Sequence, residues 1–125
     1  MNGPSAIRST YPYRSEPRWS RSERVIARKV FDAALKRELQ EVMHETKQKA
    51  NQIQEPGEVW ELERYLNQRR KEIDGKYDFR SSRLIEVLGR LLYERRITDQ
   101  ELQGLQEDKL KAICSCAKFL SENAA

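Results

Sequence analysis

The sequence predicts an all-α protein, and three observations carry that reading. No stretch alternates apolar and polar residues as a half-buried strand does. Residues 20–54 contain neither Pro nor Gly, while their apolar residues recur every three or four positions. Ser20-x-x-Glu23 and Thr98-x-x-Glu101 are both capping boxes, in which each side chain accepts a bond from a backbone N–H at a helix start. The expected architecture is a long two-helix stem over about residues 19–74 and a compact C-terminal helical head over about 76–121, dimeric through the stem.

Residues 1–18 carry Pro4, Pro12 and Pro17 among scattered Ser and Arg, with no apolar period, and read as a disordered or extended arm. The single domain, 19–125, begins at the Ser20 cap. Phe31, Leu35, Leu39, Val42, Thr46, Ala50 and Ile53 then follow a four-four-three rhythm that places them on one face of a first helix. At ~1.5 Å per residue that helix spans about 50 Å. A compact globule of this length would be only about 36 Å across, so the molecule is not a simple compact monomer.

Glu55-Pro56-Gly57 breaks the first helix. A second starts near Glu58 with Val59, Leu62, Leu66, Ile73 and Tyr77 along one stripe, interrupted by Arg69 and Arg70. Gly75 should end or bend it, because Gly costs about 1 kcal/mol relative to Ala in a helix interior. A third helix runs to about Arg95 on Leu84, Val87, Leu88, Leu91 and Leu92. The Thr98 cap precedes a short Leu102/Leu105 segment, and a last helix carries Leu110, Ile113, Ala117 and Leu120.

Composition narrows the function. Leu, Ile, Val and Phe make up about 22% of the 125 residues, only slightly above the ~20% level below which highly charged chains stay unfolded, so self-association would help bury enough surface. No apolar run approaches the ~20 residues of a membrane span, and the N-terminal residues have no apolar signal core. These features, with only two cysteines, point to the cytoplasm. The 24 basic and 20 acidic residues, net charge +4, are interspersed and read as solvated helix surface rather than as the segregated stripe of a nucleic-acid binder.

Enzymatic chemistry finds no footing. His44 is the only histidine, Cys114 and Cys116 are too few for a cysteine zinc site, and neither a Gly-rich phosphate loop nor a Gly-x-Ser-x-Gly elbow occurs. Cys114 and Cys116 lie about 200° apart on a helix, one core residue and one edge residue rather than a redox pair. Glu72, Asp74 and Asp78 lack an accompanying His and are neutralised by neighbouring Lys and Arg, so no catalytic group, metal or cofactor is expected. Trp60, beside Val59 and four residues before Arg64, could stack on that guanidinium or bury across a subunit boundary; the length of the first helix favours the boundary. Arg69-Arg70-Lys71 could pair with acidic helices of another subunit or partner, or face solvent. Asp74, Lys76, Asp78 and Arg80 surround Gly75 and Tyr77 as a lock of caps and ion pairs, with a recognition patch as the alternative.

The string Glu72-Ile73-Asp74-Gly75-Lys76-Tyr77-Asp78-x-Arg80 resembles the fluorescence recovery protein family of cyanobacteria. The resemblance runs without gaps from Trp19-Ser20-x-x-Glu23 through Phe31, Arg37-Glu38-Leu39, Trp60-x-Leu62, Leu66 and Arg70 to Asp108-Lys109. It implies a non-enzymatic, cofactor-free all-α homodimer that binds the C-terminal domain of the photoactivated orange carotenoid protein. Binding would speed that protein's return from the red, quenching form to the orange form and end quenching of the phycobilisome. Dimer-interface or partner-binding positions on this resemblance are Val59, Trp60, Glu63, Arg64, Asn67, Arg70, Asp74, Lys76, Tyr77, Asp78, Arg80 and Glu86. Four positions depart from the family pattern: Glu63-Arg64 replaces a His-Asp pair, Glu86 an aromatic, and Ala112 a basic residue. The departures support an alternative, the same dimer serving a different protein partner in signalling or stress regulation. A basic helical nucleic-acid binder is the third and weakest reading.

Overall fold

A computed structural model describes residues 18–124; the arm expected over 1–18 lies, but for Arg18, outside the described residues. Among these residues the chain forms four α-helices and no strand: α1 (Arg21–Asn51), α2 (Glu58–Lys76), α3 (Leu84–Tyr93) and α4 (Glu107–Asn123). Short 3-10 turns at Ser81–Arg83 and Gln100–Leu102 lead into α3 and follow it.

The Ser20 capping box starts α1 as expected: the Glu23 N–H donates to Ser20 Oγ at 3.2 Å, and the Ser20 N–H to Glu23 Oε1 at 3.1 Å. The Thr98–Glu101 box likewise forms, at 2.9 and 3.3 Å. No helix is long and apolar enough to cross a membrane among the described residues.

One core holds α1, α3 and α4 together. Ala27, Val30, Phe31 and Ala34 of α1 pack with Leu84, Ile85, Val87, Leu88 and Leu91 of α3, Leu102 and Leu105 of the connection, and Ile113 and Cys116 of α4. Cys116 is buried and Cys114 exposed, the split the helical spacing requires. Gly89 of α3 faces Cys116 so closely that a Cβ there would lie 2.5 Å from its Sγ. The glycine is what lets α3 and α4 approach.

Two expectations need correction. The inward face of α1 is Glu23, Ala27, Val30, Phe31, Ala34 and Glu38, about a quarter-turn from the stripe read through Leu35, Leu39 and Thr46. Leu39 and Met43 stay 50% and 52% exposed. On α2 only Ile73 is buried; Val59, Trp60 and Leu66 face outward, while Leu62, Tyr65 and Arg69 turn toward α1. Both helices thus carry two apolar faces, and periodicity alone fixes neither as the inner one. Helix α2 ends at Lys76, one residue past Gly75, and Lys76 and Tyr77 are anchored on Glu38 of α1.

Helix α3 stops short of Arg95, at Tyr93. Arg95 adopts a left-handed φ of 62°, its N–H bonds to Leu92 O and the Arg96 N–H to Leu91 O. This is a Schellman ending with arginine where glycine is usual. It aims Arg96 back toward α1.

Candidate functional site

The sequence-derived site residues divide into three groups in space. Val59, Trp60, Glu63, Arg64, Asn67, Arg70 and Asp74 are all exposed and recur at helical spacing along one outer face of α2. Trp60, 62% exposed, has no intrachain core to enter. Arg70 reaches Asp74 at 3.8 Å, a surface pair worth little.

The second group, Lys76 and Tyr77, belongs to a buried charge cluster centred on Glu38, whose side chain is fully buried. Glu38 accepts from Arg69 Nη2 at 3.1 Å, from Lys76 Nζ at 3.0 Å and from the Tyr77 hydroxyl at 2.9 Å. Arg96 Nε lies 3.3 Å away. Burial alone would raise the Glu38 pKa, but the Lys76 and Tyr77 hydrogen bonds and the charges of Lys76 and Arg96 overcome it and hold the carboxyl below its ordinary value. Burial and the facing carboxylate push the Tyr77 phenol well up. Outer carboxylates complete the cluster: Glu94 takes Lys76 at 2.8 Å and Arg96 at 2.9 Å, Glu41 takes Arg96 at 3.0 Å, and Glu72 takes Arg69 at 2.7 Å. Arg69 is therefore committed within its own chain. Four segments meet on one carboxylate: α1, α2, its end at Tyr77, and the turn after α3.

The third group surrounds the neck between α2 and α3. Asp78 accepts from the Arg80 N–H at 3.1 Å and from its guanidinium at 2.6 Å, and these Arg80 bonds hold the Asp78 pKa down at about 2. Arg83 bonds Glu86 at 2.5 Å. Phe31 meets Tyr77 and Phe79 edge to face, with centroids 5.3 and 5.2 Å apart, and Arg28 lies 4.7 Å over the Phe79 ring. Ala112 is half-buried against the core. Lys76 with Glu38, and Asp78 with Arg80, thus form the lock of ion pairs; Asp74 stands outside it.

Sequence reasoning passed over Glu38, Arg69, Glu94 and Arg96 as a unit. The signal was present in α1, where the inward register Ala27, Val30, Phe31, Ala34 is continued by Glu38 and preceded by Glu23. A charge at a core register demands a partner. Glu23 has found Lys109 at 3.1 Å and the Gln106 N–H at 2.9 Å. Burial raises its pKa, but the Gln106 and Ser20 N–H groups and then Lys109 outweigh this and bring it to about 2. Among the described residues no group of His, Cys, Asp and Glu gathers to hold a metal ion.

A family model described as photoprotection regulator fluorescence recovery protein matches residues 19–117. The chain belongs to this family. It is 36% identical to the fluorescence recovery protein of Synechocystis sp. over 105 residues, 84% of this chain and 96% of that one. The structure of the Fremyella diplosiphon fluorescence recovery protein superposes with a TM-score of 0.77 at 36% identity, covering 81% of this chain and 99% of the other. That of the Synechocystis protein gives 0.77 at 37% identity, with the same coverage. The chain is therefore a member of a family of photoprotection regulators, and its four-helix arrangement is the one those structures share.

Proposed function

We propose that this chain is a non-enzymatic, protein-binding regulator that accelerates the red-to-orange reversion of the orange carotenoid protein and so ends phycobilisome quenching in the cytoplasm. Family membership over residues 19–117 carries the reading. Residues 19–125 act as one unit, a homodimer joined through the α1–α2 stem, with the α3–α4 head free to engage the partner's C-terminal domain. The unpartnered apolar side chains of the stem support this: Leu39 and Met43 on α1, and Val59, Trp60 and Leu66 on α2, are all exposed in one chain. Acceleration without a cofactor is differential binding, in which the regulator holds the closing arrangement of the two carotenoid-protein domains more tightly than the open one.

A second reading, the same dimer with another protein partner, is favoured by Arg64, Glu86 and Ala112. Glu86 is tied to Arg83 and presents a carboxylate where the family has an aromatic. One experiment separates the two. The purified protein is mixed with photoactivated orange carotenoid protein and the red-to-orange absorbance change is followed in the dark. Acceleration at substoichiometric dimer is expected; none, in a sample that light scattering shows at twice the chain mass of 14.8 kDa, selects the second reading. A mass of one chain refutes the dimer. Val59→Glu and Trp60→Ala should shift the mass toward one chain.

A further inference from the structure

A half-open cleft of about 560 Å³ lies between α2 and α3, with the Glu38 cluster as its floor. Its volume is within the ~300–1,000 Å³ of small-ligand sites, but its lining is charged: five cations against four carboxylates. The carboxylates are already served. Glu38 accepts from Arg69, Lys76 and Tyr77 with Arg96 3.3 Å away, Glu94 lies within ion-pair distance of Lys76, Arg90 and Arg96, Glu72 takes Arg69 and Gln68, and Glu86 takes Arg83.

The cations are not all used. Arg90 has one ion pair, to Glu94 at 3.7 Å, beyond hydrogen-bond reach, and Arg83 adds to its Glu86 bond only a 4.0 Å approach to Asp78. A guanidinium offers five N–H donors in a planar fork matched to carboxylate and phosphate oxygens. Arg83, at the end of the 3-10 turn that leads into α3, and Arg90 of α3 both line the cleft and are each about half exposed.

Gly75 supplies an independent observation. It is the penultimate residue of α2, lines the cleft, adopts no left-handed conformation, and a Cβ on it would meet nothing within 4 Å. Neither backbone geometry nor neighbouring atoms require a glycine there, although Gly is a poor helix residue. What its absent side chain provides is open space in front of the charged floor.

We propose that this cleft binds a small polyvalent anion of carboxylate or phosphate type, gripped by Arg83 and Arg90 over the space left by Gly75. The bound anion spans α2 and α3 and stiffens the junction between them. The cleft is separate from the outer face of α2 but shares Lys76 and Glu86 with the partner-binding positions named above; anion binding by the chain alone does not depend on the carotenoid-protein reading.

The test is isothermal titration calorimetry of the full chain with citrate and with pyrophosphate, each against sodium chloride of matched ionic strength. Saturable binding of at least one anion is expected, weakened tenfold or more by Arg90→Gln and by Gly75→Leu, which fills the space; both variants should keep the wild-type circular dichroism spectrum. Gly75→Ala, sterically free, keeps the fold in any case and should weaken binding less than Gly75→Leu. Heats reproduced by sodium chloride alone, or equal affinity in wild type, Arg90→Gln and Gly75→Leu, overturn the proposal. Binding of a hexaglutamate peptide with no response to either small anion also overturns it, and assigns the cleft to an acidic protein segment instead.

Discussion

Glu38→Gln tests whether the four segments that converge on Glu38 are held by its charge. The substitution keeps the shape and one acceptor for Tyr77 but leaves Lys76, Arg69 and Arg96 facing one another across a fully buried site. Removing one partner of a buried ion pair costs about 3–5 kcal/mol. The low end applies here, because Glu94, Glu41 and Glu72 still neutralise the three cations from outside. A loss of about 3 kcal/mol corresponds, at roughly 4 °C per kcal/mol for a domain of this size, to a Tm lowered by about 12 °C. Far-UV circular dichroism melts at fixed protein concentration read it. Glu41→Gln is the control: Glu41 is exposed, touches Arg69 and Arg96 at 3.5 and 3.0 Å, and should cost less than about 1 kcal/mol. Equal losses for the two variants, or a Glu38→Gln protein melting within a few degrees of wild type, would refute the view that the buried carboxylate organises the junction.

Three further outcomes follow from the packing and the titrations. Gly89→Ala drives a methyl group to 2.5 Å from Cys116 Sγ and should cost about 2 kcal/mol in urea denaturation, with Cys116→Ala restoring only part, since the Cys116 Cβ itself lies 2.6 Å away. Glu23, with its pKa depressed from 4.5 to about 2, contributes stability that is fully present above pH 4.5 and is lost as pH falls toward 2. That is about 3 kcal/mol, so urea midpoints should drop over this window in wild type and drop less in Glu23→Gln. Arg95→Gly removes the strain of a side chain at φ 62° and should raise stability by about 1 kcal/mol in the same assay.

How legible the molecule was from its sequence depends on which interaction placed each residue. Caps and breakers act locally, so Ser20, Thr98 and the Glu55-Pro56-Gly57 break were readable from neighbours alone. The α3 core was readable because one apolar face dominates that helix. In α1 and α2 the apolar residues occupy two faces, and the choice between them is made by the elements they pack against, α3 and the Gln100–Leu102 turn for α1 and α1 itself for α2, which local periodicity does not see. The Glu38 cluster was hidden for a related reason: the cations that meet Glu38 lie 31 to 58 residues from it in the chain, and each alone resembles solvated surface charge. Arg69 illustrates the point, since its neighbours Arg70 and Lys71 are exposed while it turns inward by one step of the helix.

The Glu23 carboxylate joins the first turn of α1 to the backbone that opens α4, across 83 residues of chain. During synthesis the segment around Glu23 leaves the ribosome long before Gln106 and Lys109 exist to meet it. Until then the core that Ala27, Val30 and Phe31 share with α3, the connection and α4 is incomplete, and the nascent chain carries an uncovered apolar strip on an otherwise complete helix. Closing so distant a contact is slow relative to helix formation. Helix α4 is thus tied to the first turn of α1 through Gln106 and Lys109, and chaperone dependence should concentrate in the interval before it emerges.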